Sequence, residues 1–246
     1  MASISQGAMV RPVNPIIGRN GLVDQYFYFA MSLAAIVVWG FSRTVDHNLL
    51  HAAPPRPLLL WIHGAAFSGW VAFYIFQSAL IRTRNVKWHR FFGWFGTGLA
   101  AFMVPLGVTI AIIMARFDLH VLHQTGIETF LAIPFFDMLA FGLFVGLAIY
   151  WRKQPELHRR LLFIATCGLM DAAFGRFDYI FNHNLYFLCL DGVMLLGVVR
   201  DLLVNRSIHK LYRVVLPPLW IAQALTVYFY AGSPAWWLRL TRAILG

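Results

Sequence analysis

Six ionisable side chains stand inside long apolar runs of this 246-residue chain: His63, Asp137, Asp171, Arg176, Asp178 and Asp191. Placing such a group in hydrocarbon costs ~2.5–3.5 kcal/mol even on the mildest insertion scale, so these groups are expected to face protein and to mark function. Asp171, Gly175 and Asp178 follow i, i+4, i+7 on one helical face. His63, Phe67, Trp70, Tyr74 and Gln77 form a second stripe of the same period, and their indole, phenol and amide groups want partners inside a bundle. Three chemistries are open to the set. Arg176 can pair with Asp171, Asp178 or Asp191 in a structural salt-bridge network. His63 can ligate a haem b or a transition metal, with Asp137, Asp171, Asp178 and Asp191 as ligands or as partners of ligands. Asp137, Asp171 and Asp191 can exchange protons along a path for a solute. One arginine cannot neutralise four carboxylates, so some aspartates must be protonated, bind a cation or reach water.

A second pattern lies at the ends of the runs. "NVKWHRFFGWFG" (Asn85–Gly96) and "PELHRRLLFIAT" (Pro155–Thr166) each set a His–Arg pair directly before an apolar segment, and "NRSIHKLYR" repeats it weakly at His209. Two readings are open. These residues anchor helices at the headgroups, or His89 and His158 ligate a cofactor while Arg90, Arg159 and Arg160 neutralise propionates or phosphate. Further histidines fall in the other loops: His47 and His51, His120 and His123, and His183. His120, His123 and His183 are candidate outer partners of His63 on a metal or haem, although no HExxH motif is present.

These residues require membrane helices to position them. The chain is 60% hydrophobic and only 12% charged, against about 25% charged in soluble domains. Its net charge of +10 does not indicate a nucleic-acid partner, because the basic residues cluster in short loops between apolar runs. The partner implied is the lipid bilayer, with a larger membrane complex as a further option. Seven spans of roughly the ~20 residues a bilayer requires are expected at 25–42, 58–81, 91–115, 129–151, 161–180, 185–204 and 214–231. Nothing alternates with period 2, which excludes a barrel. The fold class is therefore all-α: an arm over 1–24, a seven-helix bundle over 25–231 and an interfacial helix over 232–246. The first 24 residues hold no apolar signal core. The arm and the loops 82–90, 152–160 and 200–213 carry fourteen Lys or Arg, and the remaining loops and tail carry five. An excess of positive charge on the inner side then places the N-terminus in the cytoplasm and the C-terminus outside a bacterial inner membrane. The loops after spans 2, 4 and 6 suggest three helical hairpins of similar design. Cys167 and Cys189 fall inside apolar runs and form no metal motif.

The stretch "HGAAFSGWVAFYIFQSALIRTRNVKWHRFFGW" carries His63, Gln77, Arg82, His89, Arg90 and Gly93. It resembles the pattern H-G…Q…H-R-x-x-G of uncharacterised bacterial multi-pass membrane proteins. "HRRLL" (His158–Leu162) is similar to an element of cytochrome oxidase assembly membrane proteins. That resemblance covers spans 2 to 5 and implies a haem- or respiration-related role, with His63, Gln77, His89, His158 and Arg176 as cofactor-binding residues. The chain departs from bis-histidine cytochromes b in that only His63 lies well inside a span. The last span has neither the lysine of a retinal protein nor an HxxxH. The leading expectation is a haem- or metal-binding membrane protein, redox or assembly-related. The alternatives are a proton-coupled transporter and a non-catalytic subunit of a larger complex.

Overall fold

A computed structural model describes the backbone of residues 19–246 and the side chains of residues 25–246. Most of the expected arm, 1–24, lies outside the described residues. The elements are α1 (Arg19–Ser42), a π-helical turn (Asp46–Leu50), α2 (Leu58–Arg82), α3 (Val86–His120), α4 (Ile127–Phe130), α5 (Ala132–Tyr150), α6 (Pro155–Cys167), α7 (Asp171–Phe174), α8 (Asp178–Asn182), α9 (Tyr186–Asn205), α10 (Lys210–Ala231) and α11 (Ala235–Leu245). There is no strand among the described residues.

Among the described residues, five helical stretches are long and apolar enough to cross a membrane: Gln25–Ser42, Leu58–Arg82, Val86–His120, Ile127–Tyr150 and Lys210–Ala231. The two remaining expected spans differ for physical reasons. Helix α9 has twenty residues but includes Asp191, Arg200 and Asp201, which dilute its apolar character. The 161–180 segment is not one helix. It breaks after Cys167 and again after Phe174, leaving α7 and α8 as single turns. Asp171 assists the break, because its carboxylate accepts the backbone N–H of Ala172 at 2.6 Å. A short polar side chain that bonds its own neighbouring backbone competes with helix continuation. Met170, Asp171 and Ala173 are buried while Ala172 is exposed, so one side of the irregular backbone is covered by protein, where a membrane segment tolerates it.

Helix α6 forms the centre. Leu161, Phe163, Ile164, Ala165 and Cys167 are essentially inaccessible, as expected of a helix covered on all sides. Helices α5 and α9 pack on it, α2 packs on α3, and α1 packs on α2 and α7. The first two expected hairpins exist as packed pairs. The third does not: α9 packs equally on α6 and α7, and α10 chiefly on α5. Large apolar side chains such as Trp39, Phe91, Trp94, Phe95, Leu139 and Ile221 point outward, a surface suited to acyl chains.

Side-chain contacts assign the loops to ends. His89 of α3 meets His158 of α6, and Arg200 donates to Gln25 of α1 at 2.8 Å. The α2–α3 turn, the α5–α6 turn, the start of α1 and the end of α9 therefore share one end, rich in Lys and Arg. At the other end Arg56 donates to Asp118 at 3.5 Å, and Arg116 donates to the Ile244 carbonyl at 2.7 Å. Helix α11 lies at this second end. Trp237, Thr241 and Leu245, at i, i+4 and i+8, are buried, while Trp236 and Leu240 are exposed. Trp237 donates its indole N–H to the Thr129 carbonyl at 3.3 Å. The expected interfacial helix is thus amphipathic, with one face docked on the bundle.

Candidate functional site

Two polar clusters sit inside the bundle, one near each end, and their states of hydrogen bonding differ. At the basic end Arg160 is the largest fully buried side chain. Its guanidinium grips Asp201 in a fork, Nε to Oδ2 at 2.9 Å and Nη2 to Oδ1 at 2.7 Å. Its remaining nitrogen, Nη1, donates to Glu156 Oε2 at 2.6 Å and to the Glu156 carbonyl at 2.7 Å. Asp201 also accepts from Arg200 at 2.8 Å and from Asn205 at 3.2 Å. Arg159 bonds Glu156 at 2.5 Å and lies over the Tyr26 ring, as does Arg200. Bidentate, charge-assisted pairing of this kind satisfies a buried ion fully. Glu156 stands before the apolar part of α6. Burial raises its carboxyl pKa, but the Arg160 and Arg159 guanidiniums outweigh that and hold it below the usual glutamate range.

The second cluster forms where α7 meets α5. The carboxyls of Asp137 and Asp171 lie close together. Two carboxyl groups can hydrogen-bond each other only with a proton between them. The second oxygen of Asp137, Oδ1, is buried with no partner. Tyr186 lies near both carboxyls, and its buried hydroxyl is also without a partner. Arg176 lies near Asp171 and near His63 but makes no ion pair among the described residues, and instead covers the Phe41 ring at 4.8 Å. The His63 ring lies on Phe67 at 4.1 Å, and its Nδ1 is buried and unpartnered. Buried polar atoms are bonded in about nine cases in ten, so two orphans at one carboxyl pair, Asp137 Oδ1 and the Tyr186 hydroxyl, are unusual. Between the clusters, Asp191 accepts from the Gln223 amide at 3.1 Å. Gln223 is the polar member of a small cavity, with room for about one water, between α5, α6, α9 and α10, otherwise lined mainly by side chains such as Phe141, Phe144, Leu190 and Met194.

The expected residues therefore divide. Asp137 and Asp171 come together with Arg176 in electrostatic reach of Asp171, His63 lies near Arg176, and Asp191 stands nearer mid-helix on α9. Asp178 is exposed at the start of α8, because the break after Phe174 destroys the i, i+7 register that put it on the Asp171 face. The salt-bridge network expected of Arg176 is instead built by Arg160 and Asp201. His120 and His123 are exposed at the end of α3 and beyond it, apart from His63. His183 is exposed and bonds the Tyr179 carbonyl, and His51 bonds Asp46 at 2.6 Å. The α2 stripe holds: Trp70, Tyr74 and Gln77 are its buried members. However, Gln77 is fourteen residues from His63, roughly 21 Å along a helix, so it belongs to the basic end and does not line a chamber with His63. There it approaches His89, which faces His158 at 6.3 Å between ring centroids. Among the described residues, no three His, Cys, Asp or Glu side chains are grouped to hold a metal ion.

Asp201 and Arg200 escaped the sequence reading because they abut a basic loop and were counted with it. The signal was present: an Arg–Asp pair at the end of one helix, and Glu156 with Arg160 at i, i+4 on another. Comparison of the chain with protein-family models, with curated proteins and with solved structures finds no match.

Proposed function

We propose that this is a seven-span protein of a bacterial cytoplasmic membrane that binds and releases a proton at Asp137 and Asp171, in the manner of a proton-coupled carrier. The grouping of the basic turns at one end supports an inner position for that end and for the N-terminus, with α11 at the outer surface. On this topology α9 is the sixth crossing, and the broken α6–α7–α8 segment is the fifth.

The observation that carries the function is the contact between the two carboxyls, surrounded by orphaned polar atoms, at a break in a membrane helix. Discontinuous helices with ionisable residues are where carriers place coupling sites. A haem or metal site on His63 is less well supported, because no second ligand approaches that ring while Arg176 does.

Infrared spectroscopy of the purified protein tests the reading. A protonated-carboxyl stretch is expected near neutral pH, and Asp137→Asn or Asp171→Asn should each remove it while the helical amide bands persist. In inverted vesicles, a solute that collapses an imposed pH gradient through the native protein should fail with Asp137→Asn. Absence of the carboxyl band from the native protein would end the proposal.

A further inference from the structure

The basic end holds a histidine pair that neither the salt-bridge network nor the carboxyl pair uses. His158 Nδ1 donates to the Ala148 carbonyl at 2.8 Å, which leaves its Nε2 as a lone-pair donor. His89 lies beside the main chain of Gln77, and its Nδ1 is buried without a partner. The two rings meet edge to face across 6.3 Å. A histidine whose far N–H is held by a carbonyl is the arrangement found behind metal-ligating imidazoles, where it fixes tautomer and orientation.

The separation fits one bridging ion. With metal–nitrogen bonds of ~2.0–2.1 Å and about 1.2 Å from nitrogen to ring centre, two imidazoles on one metal have centroids about 5 to 6.5 Å apart, from tetrahedral to linear. Gln77 supplies a second sign of a polar ligand. Its side chain is buried, and neither its Oε1 nor its Nε2 has a partner. Arg90, whose charge acts on His89, is exposed, and Arg159 has its charge taken by Glu156.

We propose that His89 and His158 bind one first-row transition-metal ion between their imidazoles at the basic end of the bundle, with the Gln77 amide as neighbour to its remaining positions. Neutral imidazole nitrogen selects zinc, copper, iron or nickel over magnesium or calcium. The metal reaches the pair either as a free ion or as the iron of a haem.

The test uses the full chain in detergent, stripped with chelator and titrated with Co²⁺ and with Zn²⁺. Native protein is expected to bind about one equivalent, with cobalt d–d absorption and a rise in melting temperature that grows with metal concentration. His89→Ala and His158→Ala should each weaken binding by about tenfold or more and abolish the thermal shift. His120→Ala/His123→Ala should bind as the native protein does. If His89→Ala fails to fold, His89→Gln retains the bulk and reads the same arm. A porphyrin absorption band in freshly purified protein, lost in both histidine variants, would assign the metal as haem iron on the same two ligands. No saturable binding by the native protein, or binding and spectra unchanged in both single variants, would overturn the site.

Discussion

Removing Asp201 tests whether the basic-end network holds the bundle together. The side chain is completely buried and accepts two bonds from Arg160, one from Arg200 and one from Asn205. In Asp201→Asn the shape is kept and the charge is lost. Arg160, itself 0% exposed, would retain only Glu156, whose side chain is 55% exposed and therefore a weakly held counter-ion. Breaking a buried pair from one side typically costs about 3–5 kcal/mol, because it leaves an uncompensated charge, whereas removing both charges costs far less. Arg160→Met/Asp201→Leu should consequently be more stable than Asp201→Asn alone, even though it makes the larger chemical change. Reversible unfolding in mixed micelles, followed by far-ultraviolet dichroism, gives both free energies. If Asp201→Asn lies within about 0.5 kcal/mol of native, as surface changes do, the fork between Arg160 and Asp201 contributes nothing net and the reasoning fails. If the double variant is the less stable of the two, the pair stabilises by attraction rather than by mutual neutralisation.

Two other perturbations address the same architecture. A Cβ at Gly40 would sit 2.5 Å from the carbonyl oxygen of Ala173, a backbone atom that cannot swing aside, so Gly40→Ala should cost about 1–3 kcal/mol by forcing α1 from α7, measured by melting temperature. Gly64→Ala, which meets open space, is the matched control. The Glu156 carboxyl, held below its ordinary range by burial working against the stronger Arg160 and Arg159 guanidiniums, contributes stability above the ordinary glutamate pKa. That contribution is lost as pH falls through its lowered folded value; Glu156→Gln should flatten this acid limb of a melting-temperature profile and leave the neutral region's slope unchanged.

The helices were largely legible because lipid-length apolar runs leave few alternatives, and the α2 stripe was legible because Trp70, Tyr74 and Gln77 share one helical face whatever packs against it. Legibility ended where the helix did. Asp178 was assigned to the Asp171 face by a period that holds only in an unbroken helix, and Asp171 itself, by taking the Ala172 N–H, helps to break it. The pairing of Arg160 with Asp201 was not legible because partner choice depends on which helices touch. Sequence placed Arg160 and Arg200 at one end as topology signals, whereas packing of α6 on α9 turns them inward. His89 and His158 were matched by their shared position before an apolar run, and their contact follows from the neighbouring turns meeting at one end.

The two clusters differ in what a lost proton would do to them. At the basic end every carboxylate oxygen of Asp201 is already met by a cation or an amide, so several bonds hold that contact at once. At Asp137 and Asp171, on the proposed reading, a single proton maintains the contact between α5 and α7. Its loss would leave two like charges in place of a hydrogen bond, a repulsion on the order of 4 kcal/mol at about 4 Å and an effective dielectric of 20. The element that meets this repulsion is a four-residue turn, α7, joined to α6 and α8 by short non-helical segments containing Gly168 and Gly175. A continuous helix would spread such a force over its hydrogen-bond ladder, whereas an isolated turn can yield as a unit. Arg176, unpaired and within electrostatic reach of Asp171, is placed to follow the negative charge as it appears. On the proposed reading, the fold thus concentrates its rigidity at the end that sets topology and places its one soft joint where the proton is held.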